Sequence, residues 1–254
     1  MKRIAILMAL LAIASAGWSA EWKNLDDEHR LGGRKVSGGY LQGKVVLVCR
    51  DAALADRMEA IWTSFKPKPF VLLGAYAKKQ AAGTYPMYAD AGLAADDPGT
   101  PVYVVDGLGK VIYFGNDERK ATEEVVTALT DMASPRNLTQ WKRFLDYEFE
   151  HLPGRAYGRL DQFRKKFPVE VKGYAGQIKA LKAVPDIKKL GALVAFAASV
   201  KDYAPKNPMD RRRLPIQISE ALRKYAPLKE SADPRVAQEA KNALADLQWT
   251  KASL

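Results

Sequence analysis

The stretch Gly99-Thr100-Pro101-Val102-Tyr103-Val104-Val105-Asp106-Gly107-Leu108-Gly109-Lys110-Val111-Ile112-Tyr113-Phe114-Gly115 limits the fold of this chain more than any other. Two short apolar runs flank Asp-Gly-Leu-Gly, which predicts a β-hairpin in which Asp106, Gly107 and Gly109 supply the positive φ angles of a tight turn. Proline has no N–H to give to a ladder, so Pro101 belongs at the first residue of its strand. Upstream, Lys44–Cys49 and Phe70–Gly74 are short continuous apolar runs, as fully buried strands are. Between them Met58, Ile61, Trp62 and Phe65 recur at helical spacing within Leu54–Phe65. Tyr85–Tyr88 reads as a further strand, and a short one is expected around Val36 in the polar, Gly-rich segment 21–43. Thr122–Met132 closes the unit as a helix. The expected order is β-α-β-loop-β-β-β-α over residues 36–133.

After Pro135 no strand pattern recurs. Amphipathic helices are expected at Leu138–Glu150, Arg155–Phe167, Val171–Ala183, Ile187–Tyr203, Pro215–Tyr225 and Pro234–Leu247, separated by proline-containing turns, an arrangement with a repeat-like flavour. Charge divides at the same place. Residues 17–136 carry 15 Lys+Arg against 16 Asp+Glu, whereas residues 137–254 carry 23 against 13. The chain therefore divides into 1–20, a polar segment 21–35, an α/β domain 36–134 and a basic all-α domain 135–254.

The run Gly43-Lys44-Val45-Val46-Leu47-Val48, the stretch Tyr85-Pro86-Met87-Tyr88-Ala89-Asp90 and Gly99-Thr100-Pro101 with its hairpin resemble a thioredoxin-like (redoxin) domain. The resemblance implies an α/β thioredoxin-like fold, a cis peptide before Pro101, and a groove beside Thr100 and Pro101 where a protein or peptide partner adds as an extended segment. It stops short of the chemistry. Arg50-Asp51-Ala52-Ala53-Leu54-Ala55-Asp56-Arg57-Met58 stands where the family carries Cys-x-x-Cys, and the chain has a single cysteine, Cys49. No catalytic residue transfers. Cys49 ends a predicted buried strand, where a thiol is an inert small hydrophobe. As a nucleophile it would need an exposed site and a lowered pKa.

Lys2-Arg3, the apolar run Ile4–Ile13 and Ala14-Ser15-Ala16 read as a signal peptide, with Ala20 as a second cleavage site, and predict export to a periplasm or beyond. The run is shorter than the ~20 apolar residues of a membrane span, so the mature chain is expected to have none. His29 and His151 lack metal-ligand spacing, and no cofactor motif is present. Asp106–Lys110 joins two strands and so is no phosphate loop. Asp96-Asp97 is expected in a solvated loop, and Asn137 as a helix cap. The basic clusters Arg164-Lys165-Lys166, Lys188-Lys189 and Arg211-Arg212-Arg213 read either as solvated helix faces, the better reading for Lys188-Lys189, or as a surface for an anionic glycan or lipid, for which Arg211-Arg212-Arg213 in a Pro-bounded segment is the best candidate; export and the lack of a motif disfavour nucleic acid. The leading expectation is an exported, redox-inactive thioredoxin-like binding protein with a basic helical domain. Its alternatives are a single-thiol oxidoreductase or peroxidase working through Cys49, and an envelope-associated structural protein.

Overall fold

A computed structural model describes residues 21–65, 69–77, 84–93, 97–201 and 208–254. The expected signal peptide, residues 1–20, lies outside them. Among the described residues no helix is long and apolar enough to cross a membrane.

The strands are β1 (Trp22–Lys23), β2 (Arg30–Gly32), β3 (Val45–Cys49), β4 (Phe70–Tyr76), β5 (Met87–Ala89), β6 (Gly92–Leu93), β7 (Val102–Val105) and β8 (Val111–Gly115). Six form a mixed sheet in the order β2-β5-β4-β3-β7-β8, and β1 pairs with β6. β3 runs parallel to β4 and antiparallel to β7, with Leu47 opposite both Leu72 and Val104. A central strand with neighbours on both sides and both faces covered must be apolar throughout, which is why Val45–Cys49 does not alternate.

Its side chains still sort by parity. Val45, Leu47 and Cys49 enter one core with Met58 of α2 (Ala52–Phe65) and with Val125 and Leu129 of α3 (Glu118–Ala133). Val46 and Val48 enter a second core, covered by residues remote in sequence: Val36, Tyr40 and Leu41 of the N-terminal segment, and Ala245 near the end of the chain. No strand forms at Val36, because its N–H and carbonyl are both taken by the Tyr88 hydroxyl, at 2.8 and 2.9 Å. The segment instead makes β1, β2 and a short helix α1 (Gly38–Leu41) capped by Ser37.

The 99–115 hairpin forms, by a different turn. Asp106 Oδ1 accepts from Leu108 N and Lys110 N, both at 2.9 Å, and positive φ falls on Gly109 (81°) but not on Gly107. The cis bond expected before Pro101 is absent: no cis peptide occurs among the described residues. The chain reverses one step earlier, at Gly99, whose φ is 66° and whose N–H donates to Asp97 Oδ1 at 2.9 Å. The Pro101 carbonyl is then placed to accept from Arg50 N at 2.8 Å, extending the β3–β7 ladder.

The rest is helical: α4 (Leu138–His151), α5 (Pro153–Lys166), a 3-10 turn (Glu170–Tyr174), α6 (Ala175–Ala183), α7 (Ile187–Lys201), α8 (Pro208–Tyr225), a second 3-10 turn (Ala226–Glu230) and α9 (Pro234–Ala252). Asn137 caps α4, as its position predicts. Pro215 does not start a helix but lies inside α8, which opens at Pro208, so the Pro-bounded segment that carries Arg211-Arg212-Arg213 is itself helical. Proline at a helix start gives up no bond, whereas Pro215 inside α8 forfeits one. Helices α5, α7, α8 and α9 share a core of Leu190, Leu193, Ile218, Val236 and Leu244. α9 then runs back to the sheet and lays Ala245 on the second core.

Candidate functional site

The end of the sheet that bears Cys49, Thr100 and Pro101 is chemically closed. Cys49 is fully buried with its Sγ 3.6 Å from Met58 Sδ. Burial, reinforced by the charges of Asp51 and Glu118, pushes the thiol up to about 12. Arg50 follows on the opposite face of the strand. Its guanidinium pairs with Asp97, donates to the Thr100 carbonyl at 3.3 Å and lies 5.4 Å from the centre of the Tyr103 ring. The Thr100 carbonyl beside Pro101 thus accepts one bond from the protein itself. Asp97 is not the solvated loop residue the sequence suggested; its side chain is 12% exposed because Arg50 and Lys23 draw it in.

The other expected residues lie apart. Arg212 and Arg213 are exposed on α8, while the Arg211 side chain falls outside the described residues. His29 pairs with Asp26 at 2.7 Å, and His151 ends α4 against the Tyr147 ring. Among the described residues no group of His, Cys, Asp and Glu is arranged to hold a metal ion.

The chemistry gathers elsewhere. A cleft of about 620 Å³ opens where the sheet unit meets the helices. Gln42 and Lys44 from the approach to β3, Pro69 and the end of α3 form one side, and α4, α5, α7 and α9 the other. Its exposed lining mixes small residues, Gly158 of α5 with Ala195 and Ala198 of α7, and polar ones, Thr130, Ser134 and Gln162. Its buried lining is charged. Lys44, Glu148, Glu239 and Asp246 all lie in it, each no more than 6% exposed.

Each buried charge has a partner, as low dielectric requires. Asp246 accepts from Tyr40 Oη at 2.5 Å and from Lys44 Nζ at 3.1 Å, and Lys44 lies 4.2 Å from the centre of the Tyr40 ring. Glu148 Oε2 accepts from Arg159 Nε at 2.7 Å, and the same guanidinium reaches the Met132 carbonyl at 3.1 Å, tying α4 and α5 to the end of α3. Arg155 donates from Nη1 to the Gly43 carbonyl at 2.7 Å.

Glu239 does a different job. Helix α5 begins at Pro153 with Leu152 as its cap residue, and leucine has no oxygen to offer. Glu239, on α9, fills the vacancy: Oε2 accepts from Gly154 N at 2.6 Å and Oε1 from Arg155 N at 3.0 Å. A helix N-terminus favours a carboxylate. Burial nonetheless dominates and raises Glu239 to about 7, against the pull of Arg155 and the two backbone donors. Gly154 permits the approach, since a Cβ there would stand 2.7 Å from Leu190 Cγ and 3.1 Å from Glu239 Oε2.

Sequence reasoning missed this cluster, and its signals are faint. Lys44 looks like the polar lead-in to an apolar strand. Glu239, Asn242 and Asp246 follow one another at spacings of three and four, so they share a face of α9 that is otherwise Val236, Ala240, Ala243 and Leu247. Polar residues set into an apolar stripe were the available clue.

No family model matches the chain, and no curated protein matches it. Among solved structures, the crystal structure of Trgpx in apo form is similar to it at 21% identity over 41% of this chain and 91% of that one, with a TM-score of 0.31.

Proposed function

We propose that this chain is a non-redox binding protein in which a thioredoxin-like unit, residues 36–134, and an all-helical unit, residues 135–254, hold a small molecule in the cleft between them. The order β-α-β then β-β-α, with β3 parallel to β4 and antiparallel to β7, supports the thioredoxin-like reading. A lone buried thiol without a resolving cysteine favours the redox-inactive form over the single-thiol oxidoreductase or peroxidase. Export remains part of the proposal on the strength of residues 1–20.

The observation that carries the reading is the cleft: about 620 Å³ with a charged floor. That volume lies within the range of about 300–1,000 Å³ typical of small-molecule sites, and convergent polar groups in a mostly apolar wall are their common form. Gly158 gives the test, because a Cβ there meets nothing within 4 Å and the residue lines the cleft. Gly158→Phe is expected to keep the fold, since glycine in a helix interior is itself unfavourable, while its ring fills the site. A fragment library screened by ligand-observed NMR should yield binders to the wild-type full chain that Gly158→Phe no longer binds. A folded variant that retains every binder removes the cleft as the site.

A further inference from the structure

We propose that the cleft takes a small monocarboxylate with a compact apolar body, its carboxylate held by the Arg155 guanidinium. The proposal rests on the binding reading above and names the ligand class for that site.

The first support is the state of the donors and acceptors. The acidic oxygens of the floor are engaged: both oxygens of Glu239 by backbone N–H groups, both of Asp246 by Tyr40 and Lys44, and Oε2 of Glu148 by Arg159. Arg155 has the most spare donors among the guanidiniums of the lining. Nη1 reaches Gly43, and neither Nε nor Nη2 has an acceptor among the described residues, whereas Arg159 bonds through both Nε and Nη2. Spare donors on Arg155 outnumber the one acidic oxygen, Glu148 Oε1, that no bond engages among the described residues, so the floor favours an acceptor. A planar guanidinium matches the two oxygens of a carboxylate.

The second support is the charge balance. Among the residues lining the cleft, Lys44, Arg155 and Arg159 supply three positive charges and Asp246 and Glu148 two negative ones; Arg34, 3.9 Å from Asp246, lies outside the lining. Glu239, raised by burial to about 7, is largely neutral at mildly acidic pH. The floor then lacks one negative charge, which a monoanion supplies. A phosphate dianion would place a second charge among Asp246, Glu148 and Glu239.

The third support is shape. On the α5–α7 side Gly158, Gly191, Ala195 and Ala198 put almost no side chain into the outer cleft, while Gln162, Thr130 and Ser134 line its rim. The Gly and Ala side leaves room for a body of aromatic or branched-alkyl size above the charged floor.

The test uses the full chain with 3-phenylpropanoate, its uncharged amide and phenethyl phosphate as probes, read by calorimetry at pH 6. The carboxylate is expected to bind at least about tenfold more tightly than the amide, as a charge-assisted hydrogen bond implies. Arg155→Met should cost the carboxylate at least about tenfold while leaving the amide within about twofold, and Arg155→Lys should recover part of the loss. Equal binding of carboxylate and amide overturns the proposal, as does indifference to Arg155→Met or tighter binding of the phosphate. If none of the three probes binds while the fragment screen still gives binders lost in Gly158→Phe, the carboxylate class falls and the cleft reading stands. If no binder is lost in that variant, the cleft reading falls with it.

Discussion

Two regions of this molecule invert the usual relation between what a sequence advertises and what a structure can do. The Cys49–Thr100–Pro101 end has the recognisable residues, yet its thiol is sealed under Met58 and its free carbonyl is taken by Arg50. The cleft is built from residues that no motif names, yet it collects the buried charges Lys44, Glu148, Glu239 and Asp246. Buried charge is costly to maintain, so a cluster of it is a stronger pointer to a site than the residues that resemble a motif.

The sharpest way to break this comparison is at Asp246. Asp246→Ala removes the carboxylate shared by Tyr40 and Lys44, both buried. Loss of one partner of a buried pair costs about 3–5 kcal/mol, so urea unfolding should show a loss of that size. A loss under about 1 kcal/mol, the usual size of a point-mutation effect, would make the charged floor as quiet as the Cys49 end.

Glu239 gives the next largest effect, and it depends on pH. Its carboxyl is raised from 4.5 to about 7 in the fold, so the folded chain holds a proton that the unfolded chain has released. The stability it contributes is fully present below about pH 4.5 and is lost as pH rises through about 7, a change of up to about 3 kcal/mol. Denaturant melts across that window should fall with pH in the wild type and run flatter in Glu239→Gln. Equal slopes would mean that Glu239 does not titrate there.

The smallest effect belongs to Cys49. Cys49→Ala should cost about 1 kcal/mol, as a modest core truncation does, and should leave ligand binding in the cleft unchanged. In the native wild type a disulfide reagent should label Cys49 only as fast as the protein unfolds. Labelling at the rate of a free thiol would restore the single-thiol alternative.

The legible part of this fold was the part set by short-range rules. Continuous apolar runs gave β3 and β4, helical spacing gave α2 and most of the C-terminal helices, and Asp-Gly-Leu-Gly gave the hairpin. What could not be read depended mostly on distant partners. Val36 is no strand because Tyr88, 52 positions on, takes its backbone groups. Pro101 is trans, and the chain reverses at Gly99, whose N–H donates to Asp97, a residue two positions back. The cleft needs α9 laid against the start of α5 and the lead-in to β3, and no local pattern states that meeting.

Because the cap of α5 is a side chain 85 residues further on, the order of synthesis matters. Helices α4 to α8 leave the ribosome before Glu239 and Asp246 exist, so until α9 emerges the first turn of α5 has no carboxylate and Lys44 has no Asp246. Chain growth runs at roughly 5–20 residues per second, so α9 follows the start of α5 by several seconds. During that interval the second face of the sheet lacks Ala245 and is open to other apolar surfaces. The site is thus assembled last, and a nascent chain stalled before α9 would be the form most in need of a chaperone.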